Sequence, residues 1–383
     1  MNMIKQLIIL ILLIFSLELL NAQNKVDRPI NFSLWNPVST APYDSLYITN
    51  VTLGFTSKTS TLNGVGVNLC GHFNEKGVNG LSLNGVGEFV KGNMNGLEIS
   101  GLFNVVSGHM HGLQVAIVQN TNILHAKGVM LSGITNFTIG NARGVQLAGV
   151  TNMAGSHFSG LQTTLGINIA SSSSNLFQLA GLVNICAAPI NGVQVGMGNY
   201  ASGIKGLQLG LLNLCGGEVR GLQMGIINYS EDTSAVKVGL VNINPKTQLQ
   251  MLAYGGNMIQ NNLAVRFKSR YTYTIFGIGT NYLELDNKSS GALFYRIGLG
   301  IPIKRAFFIS TDAGFFHIEN FHDEDHTDLP NHLYSLQLRF NMEYHPIRKF
   351  GLFASGGYAC TRYYGSGGTF ENQPIVEFGF VLF

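Results

Sequence analysis

Charge is what this chain has least of. Asp, Glu, Lys and Arg make up 11% of its 383 residues, against about 25% in an ordinary soluble domain. The net charge is only +3, and no basic stripe or aromatic-basic module is present, which excludes a nucleic-acid partner. Beyond the N-terminal segment no apolar run is long enough for a transmembrane helix, which needs about eighteen residues. Cysteine is scarce, at four. Cys70, Cys186 and Cys215 each follow an Asn by two positions, where other copies of the same pattern hold Ala154, Ala170, Ala201 or Ser230. That is a position for a small buried side chain. Cys186 and Cys215 are two copies apart, roughly 9–10 Å in a parallel stack, beyond the roughly 7 Å reach of a disulfide between Cα atoms. The chain also lacks a Ser-His-Asp arrangement, and no glycine-rich stretch opens a helix after a strand, so phosphate-cradling readings fail. No cofactor is implied.

What is abundant is glycine, 48 residues of it, together with a rhythm of amides. Asn104, Asn120, Asn136, Asn152, Asn168 and Asn184 fall sixteen apart, and Asn199, Asn213, Asn228 and Asn242 continue at fourteen or fifteen. Six residues ahead of the first six sit Glu98, Gln114, Met130, Gln146, Gln162 and Gln178. Gln194, Gln208 and Gln223 precede the later Asn by five. A fixed period means that each copy is one structural unit burying a face against the next. Helix is nearly excluded there, because each interior Gly costs about 1 kcal/mol relative to Ala. The remaining Val, Leu, Ile and Thr alternate in short runs, which read as strands.

Two constructions fit the period. One is a β-solenoid with one coil per copy, glycines turning the corners and Asn and Gln stacked into structural ladders with shared amide hydrogen bonds. The other is an up-and-down sheet that closes, with the tail, into one large outer-membrane barrel of about twenty strands. The single polarity of the motif favours the solenoid, as do its short apolar runs and the absence of aromatic girdles between 96 and 245. Residues 51–245 then hold about eleven coils, after an irregular lead-in at 23–50.

Residues 246–383 change character. Tyr334, Leu336, Leu338, Phe340, Met342 and Tyr344 alternate with Ser335, Gln337, Arg339, Asn341, Glu343 and His345. That is apolar-out, polar-in over a length suited to a transmembrane β-strand. Leu293, Tyr295, Ile297, Leu299 and Ile301 repeat it against Phe294, Arg296, Gly298 and Gly300. Eight strands are expected, near 249–256, 262–269, 271–285, 291–303, 305–318, 333–345, 350–363 and 374–383. They suit either a small membrane barrel or a soluble antiparallel sheet. Lys5, the apolar stretch Leu7–Leu20 and the Leu20-Asn21-Ala22 cleavage site read as a signal peptide over 1–22.

The copies Gly206-Leu-Gln-Leu-Gly-Leu-Leu-Asn213 and Gly221-Leu-Gln-Met-Gly-Ile-Ile-Asn228 resemble the repeat of bacterial surface-repeat-containing proteins. The resemblance covers roughly 96–245. It implies an exported protein at the surface or outer membrane of a Gram-negative cell, and it supplies no activity. The terminal strand ending in Phe383 resembles the assembly signal of outer-membrane barrels. Together these readings give an all-β, non-enzymatic envelope protein with a structural, adhesive or binding role. Its partners would be the outer membrane and a glycan or protein ligand met by the Gln and Asn columns; the alternative is a pore.

Carboxylates for glycan chemistry should cluster, but Glu75, Glu88, Glu98, Glu218, Glu231 and Asp232 are scattered in sequence. His109 and His111 flank Met110 in what reads as a polar turn. Metal-ligand types gather only at His317, Glu319, His322, Asp323, Asp325 and His326. Their spacing matches no zinc or EF-hand pattern, and a surface loop between two strands accounts for it.

Overall fold

The computed structural model describes residues 26–35, 38–40, 47–269, 271–282, 290–304, 306–321, 332–347, 349–365 and 370–383. The expected signal peptide lies outside them. The described residues are strands, turns and bends, without helix. The chain divides into two compact units, 1–171 and 172–383. The division falls inside the repeats rather than after Pro245, and each unit is described by itself.

In the first unit the repeats are coils of a parallel solenoid. Each coil carries two strands, as in Ala126–Ser132 and Thr135–Thr138, with a bend at Gly133 and Ile134. Neighbouring coils pair parallel and in register, Gly128 with Gly144, Met130 with Gln146, Asn136 with Asn152. The two motif glycines do different work. Gly128 and Gly144 sit within a strand at φ of +141° and +126°, a region nearly closed to other residues. A Cβ on Gly144 would lie 2.0 Å from the Gly128 carbonyl oxygen. The second glycine, Gly133 or Gly149, makes the corner. The expectation that glycine turns the corners thus accounts for only one of the pair. The stretch taken as an irregular lead-in also contributes: Ile30–Trp35 pairs parallel with Val51–Gly54.

The second unit holds further coils and then a barrel. Gly206 pairs with Gly221, Gln208 with Gln223 and Asn213 with Asn228, again in parallel. The last coil is Val236–Val238 and Val241–Ile243. Beyond it the pairing turns antiparallel. The eight barrel strands are Gln248–Gly256, Ile259–Lys268, Thr272–Tyr282, Ser290–Lys304, Phe307–Asn320, His332–Ile347, Phe350–Tyr363 and Glu371–Leu382. The first and last close the barrel, Met251 against Leu382 and Leu252 against Val381. One large barrel does not form, because the repeats pair in parallel and an up-and-down barrel needs antiparallel neighbours. Nor does an open sheet, since closure removes both edges.

The barrel is inverted relative to a soluble one. Its outer wall carries Leu263, Ile278, Leu299, Leu338, Met342 and Phe378, all exposed. Inside, Arg266, Arg296 and Arg339 are among the largest fully buried side chains. An eight-stranded barrel has an interior only wide enough for side chains, and here they fill it.

The close approach of coils at Gly144 yields a prediction. Gly144→Ala should destabilise the first unit by about 1–3 kcal/mol through backbone strain alone. Gly356→Ala, which meets nothing within 4 Å, should be near neutral. Thermal melts followed at the β-sheet circular dichroism band distinguish them; equal melting temperatures would refute the packing role.

Candidate functional site

The amide columns lie in the bore of each set of coils and are almost entirely shielded from solvent. Most of the Asn use their amide twice. Asn136 Nδ2 donates to Asn152 Oδ1 of the next coil (3.0 Å) and to the Leu147 carbonyl (2.7 Å). Asn104, Asn120 and Asn152 repeat this on the Val115, Leu131 and Thr163 carbonyls. In the second unit Asn184, Asn199, Asn213 and Asn228 do so on Val195, Leu209, Met224 and Val238. The accepting carbonyl belongs to a residue at or near the end of the strand that runs into the corner of the next coil. The Leu209 carbonyl accepts from the Gly196 N–H as well, so the Asn adds a second bond at the corner and ties one coil to the next.

The Gln column bridges the bore. Gln208 Nε2 donates to Gln194 Oε1 (2.8 Å) and to the Leu214 carbonyl on the facing strand (3.3 Å). Gln223 does the same with Gln208 and Tyr229, and Gln162 with Gln146 and Ile169. Gln178 accepts from Gln194 and donates to the Ile185 carbonyl. Met130 fills a gap in the column. Its sulfur accepts from Asn122, Thr138 and Gln146 at 3.5–3.6 Å, a soft acceptor in an amide's place. Asn168 receives the Asn152 amide and donates to the Gln162 carbonyl. Columns shielded this way offer no surface to a glycan or a protein. The expectation that they form a binding face is corrected by their burial.

Two carboxylates separated in sequence come together in the bore. Glu88 stands in the Asn column and Glu98 in the Gln column. Glu88 accepts from Asn74 (2.8 Å) and Asn84 (3.1 Å), with His72 Nδ1 at 3.3 Å. Glu98 accepts only from Gln114 Nε2 (2.8 Å), leaving Oε1 without a partner. Burial, with Glu88 nearby, pushes the Glu98 carboxyl well above the usual carboxylate range, against the opposing hydrogen bond from Gln114. Neither residue touches solvent, so no glycan reaches the pair. Sequence spacing missed it because the contact forms only when coils stack.

Among the polar side chains that reach solvent in the first unit are those at the other corner of each coil. His111, Lys127 and Arg143 occupy one column in register. His109 and His125 stack at 5.0 Å between ring centroids. Exposed Asn95 donates to Asn79, and Asn79 to Asn63.

The barrel interior holds three Arg–carboxylate pairs from different strands. Arg266 meets Glu343 through both terminal nitrogens. Arg296 grips Asp312 at 2.7 and 2.8 Å, and Arg339 grips Glu377 at 2.8 and 2.9 Å. Tyr273 and Asn341 donate to the same Asp312. Towards the end where the longer interstrand segments lie, the interior turns apolar, with Phe294 stacked on Phe316 at 4.6 Å and Ile318 and Leu333 beside them.

His317 and Glu319 of the metal-type cluster are joined by His332 from the neighbouring strand, which sequence reasoning missed. One ligand atom from each lies within 4.8 Å of the others. Glu319 is 3.9 Å from His332, and His317 Nδ1 is 3.3 Å from the Tyr364 hydroxyl. Two imidazoles, a carboxylate and an open position are a donor set suited to Zn²⁺. His322, Asp323, Asp325 and His326 lie outside the described residues. All four cysteines are free, Cys186 and Cys215 buried.

No family model matches this chain, and no curated protein does. Among solved structures, the N-terminal β-barrel domain of Pseudomonas aeruginosa OprF is similar to 36% of this chain and 98% of that domain. The identity is 9% and the TM-score 0.29.

Glu98 yields a pH-dependent prediction. A carboxyl whose folded pKa is raised leaves stability intact below the unfolded value of about 4.3 and erodes it as pH rises through the folded one. Glu98→Gln should therefore melt higher than the parent at pH 7, and the two should converge near pH 4. Scanning calorimetry across that range tests it; a difference that does not change with pH would sink the assignment.

Proposed function

We propose that this protein is a non-enzymatic component of the cell envelope, anchored in the outer membrane by the barrel of residues 248–382. The observation that carries the reading is the inverted barrel. In water its outer wall would be a continuous apolar girdle, far beyond the few hundred Å² that soluble monomers expose. Its buried charges are paired, as charges in a closed interior must be. Aromatic belts border the wall. Phe321, Tyr364 and Phe370 stand at one end, and Tyr271, Phe307, Tyr344 and Phe383 at the other. On the sixth strand the outward row from Tyr334 to Tyr344 spans ten residue steps. At roughly 3.3 Å each and a tilt of about 45° this is about 23 Å, close to the apolar band of known membrane barrels.

Both ends of the barrel chain lie at the rim with the short connections, around 269–271, 305–306 and 348–349. At the other rim the strand ends are joined by the two-residue turn 257–258 and by three longer stretches of sequence, 283–289, 321–331 and 364–370. Outer-membrane barrels place their short turns in the periplasm, so the repeats enter the barrel from that side. The exposed His, Lys, Arg and Asn at the polar coil corner are the chemistry a glycan or protein partner would meet. The filled lumen speaks against a pore, and the buried Glu88 and Glu98 against a glycan-cleaving enzyme.

The test is outer-membrane fractionation with a heat-modifiability gel, then conductance in liposomes. A membrane-recovered band whose mobility shifts on boiling, without conductance, is expected. Leu338→Arg should weaken folding into liposomes by about 2–4 kcal/mol, the cost of a cation on the lipid face at mid-depth. Recovery as a soluble exported protein without a mobility shift would refute the anchor, and conductance would favour the pore.

A further inference from the structure

The coils of the second unit have two unlike corners. At one, Leu182, Met197, Leu211, Ile226 and Leu240 follow one another, one per coil, and every one is an exposed large apolar side chain. Leu179, Leu209 and Met224 widen the stripe. The charged residues Lys205, Glu218, Arg220 and Asp232 sit at the other corner, beside Gly206 and Gly221. A soluble solenoid would have little reason to segregate its surface in this way.

The last coil meets the outer wall of the barrel. Thr274 Oγ1 donates to the Leu240 carbonyl (3.0 Å), and the Tyr295 hydroxyl donates to the Gly239 carbonyl. These are carbonyls of the coil that has no successor to pair with. Tyr295 and Ile297 belong to the outward row Leu293, Tyr295, Ile297, Leu299 and Ile301 on the fourth strand, so the contact is part-way up the apolar band. Between the apolar corner and this wall opens a cleft of about 740 Å³, lined by Met197, Leu211, Ile226, Leu240, Tyr295 and Ile297 among others. Its lining is aliphatic side chains and glycine apart from the one tyrosine.

We propose that this cleft binds a phospholipid acyl chain, and that the apolar corner of the coils of the second unit lies in the hydrocarbon layer beside the barrel, with the charged corner outside it. The proposal rests on the barrel being membrane-embedded, as read above. At the depth of Tyr295 the medium around the barrel is hydrocarbon, and a cleft continuous with that wall takes the same medium. Backbone is tolerated there only when its polar groups are satisfied internally. The parallel ladder, the Asn column at the corners and the two barrel hydroxyls at the open end do this for the coils. The polar side chains that could not face lipid, Gln194, Gln208 and Gln223 among them, are inside.

The test uses full-length protein with Trp35→Phe and one new tryptophan: Ile226→Trp at the cleft, Leu338→Trp on the barrel wall, or Lys205→Trp at the polar corner. Each is reconstituted into phosphatidylcholine vesicles with mid-chain brominated acyl groups, and folding is checked by heat-modifiability. If Ile226→Trp does not fold, Met197→Trp replaces it. The expected result is that the cleft and wall tryptophans lose most of their emission relative to non-brominated vesicles, while Lys205→Trp loses little. Quenching at Leu338→Trp without quenching at the cleft would overturn the proposal and leave the cleft to a water-borne apolar partner. An unquenched Leu338→Trp would instead bring down the barrel reading on which the proposal stands.

Discussion

The bond on which the repeats depend joins an asparagine amide to the carbonyl at the corner of the next coil. A solenoid with two strands per coil must bend its backbone twice in about fifteen residues, and its corners must still hold one coil in register with the next. The Asn side chain reaches both the corner carbonyl and the next Asn, so one residue closes the corner and registers two coils. Everything else in the period follows: glycine where coils approach most closely, Gln to span the bore, Ala, Ser or Cys where the interior is narrow. Because buried amides strengthen one another in a low-dielectric interior, the columns hold the register more firmly than interchangeable aliphatic side chains would.

The repeat was the most legible part of the fold. Its period of sixteen, its single polarity and its glycines exclude helix and favour parallel coils, because each is a local signal repeated many times. The seventh barrel strand, Phe350–Tyr363, coincides with the alternation visible in the sequence. The second and last begin three residues earlier than that alternation suggests, at Ile259 and Glu371. Ile259 is held by Tyr282 and Glu371 by Thr361, pairings with a neighbouring strand that the alternation within one strand does not reveal. The Arg–carboxylate pairs were hidden for the same reason. Arg266 and Glu343 are each visible as polar members of an alternating strand, yet nothing local says that they meet. Glu88 and Glu98 look scattered on the chain and become neighbours only across stacked coils, and His332 joins His317 only through antiparallel pairing.

Both architectures in this chain solve one problem in one way. Polar groups fill the interior, and apolar side chains face outward on the barrel wall and at one corner of the coils. In the barrel the enclosed groups are charges held in pairs; in the coils they are neutral amides held in columns. Charge can be scarce because the interior has no water to solvate an unpaired ion. Where a charge does enter the bore, as at Glu98, the surroundings hold it towards its neutral, protonated form.

The two amide columns point their donors in opposite directions along the stack, Asn towards later coils and Gln towards earlier ones. A single column of aligned amides would build a dipole that grew with every coil, much as peptide groups do along a helix. Opposed columns cancel coil by coil. Adding or losing a copy then leaves the electrostatics of the ends unchanged, so an array of this kind can vary in length without re-engineering its termini.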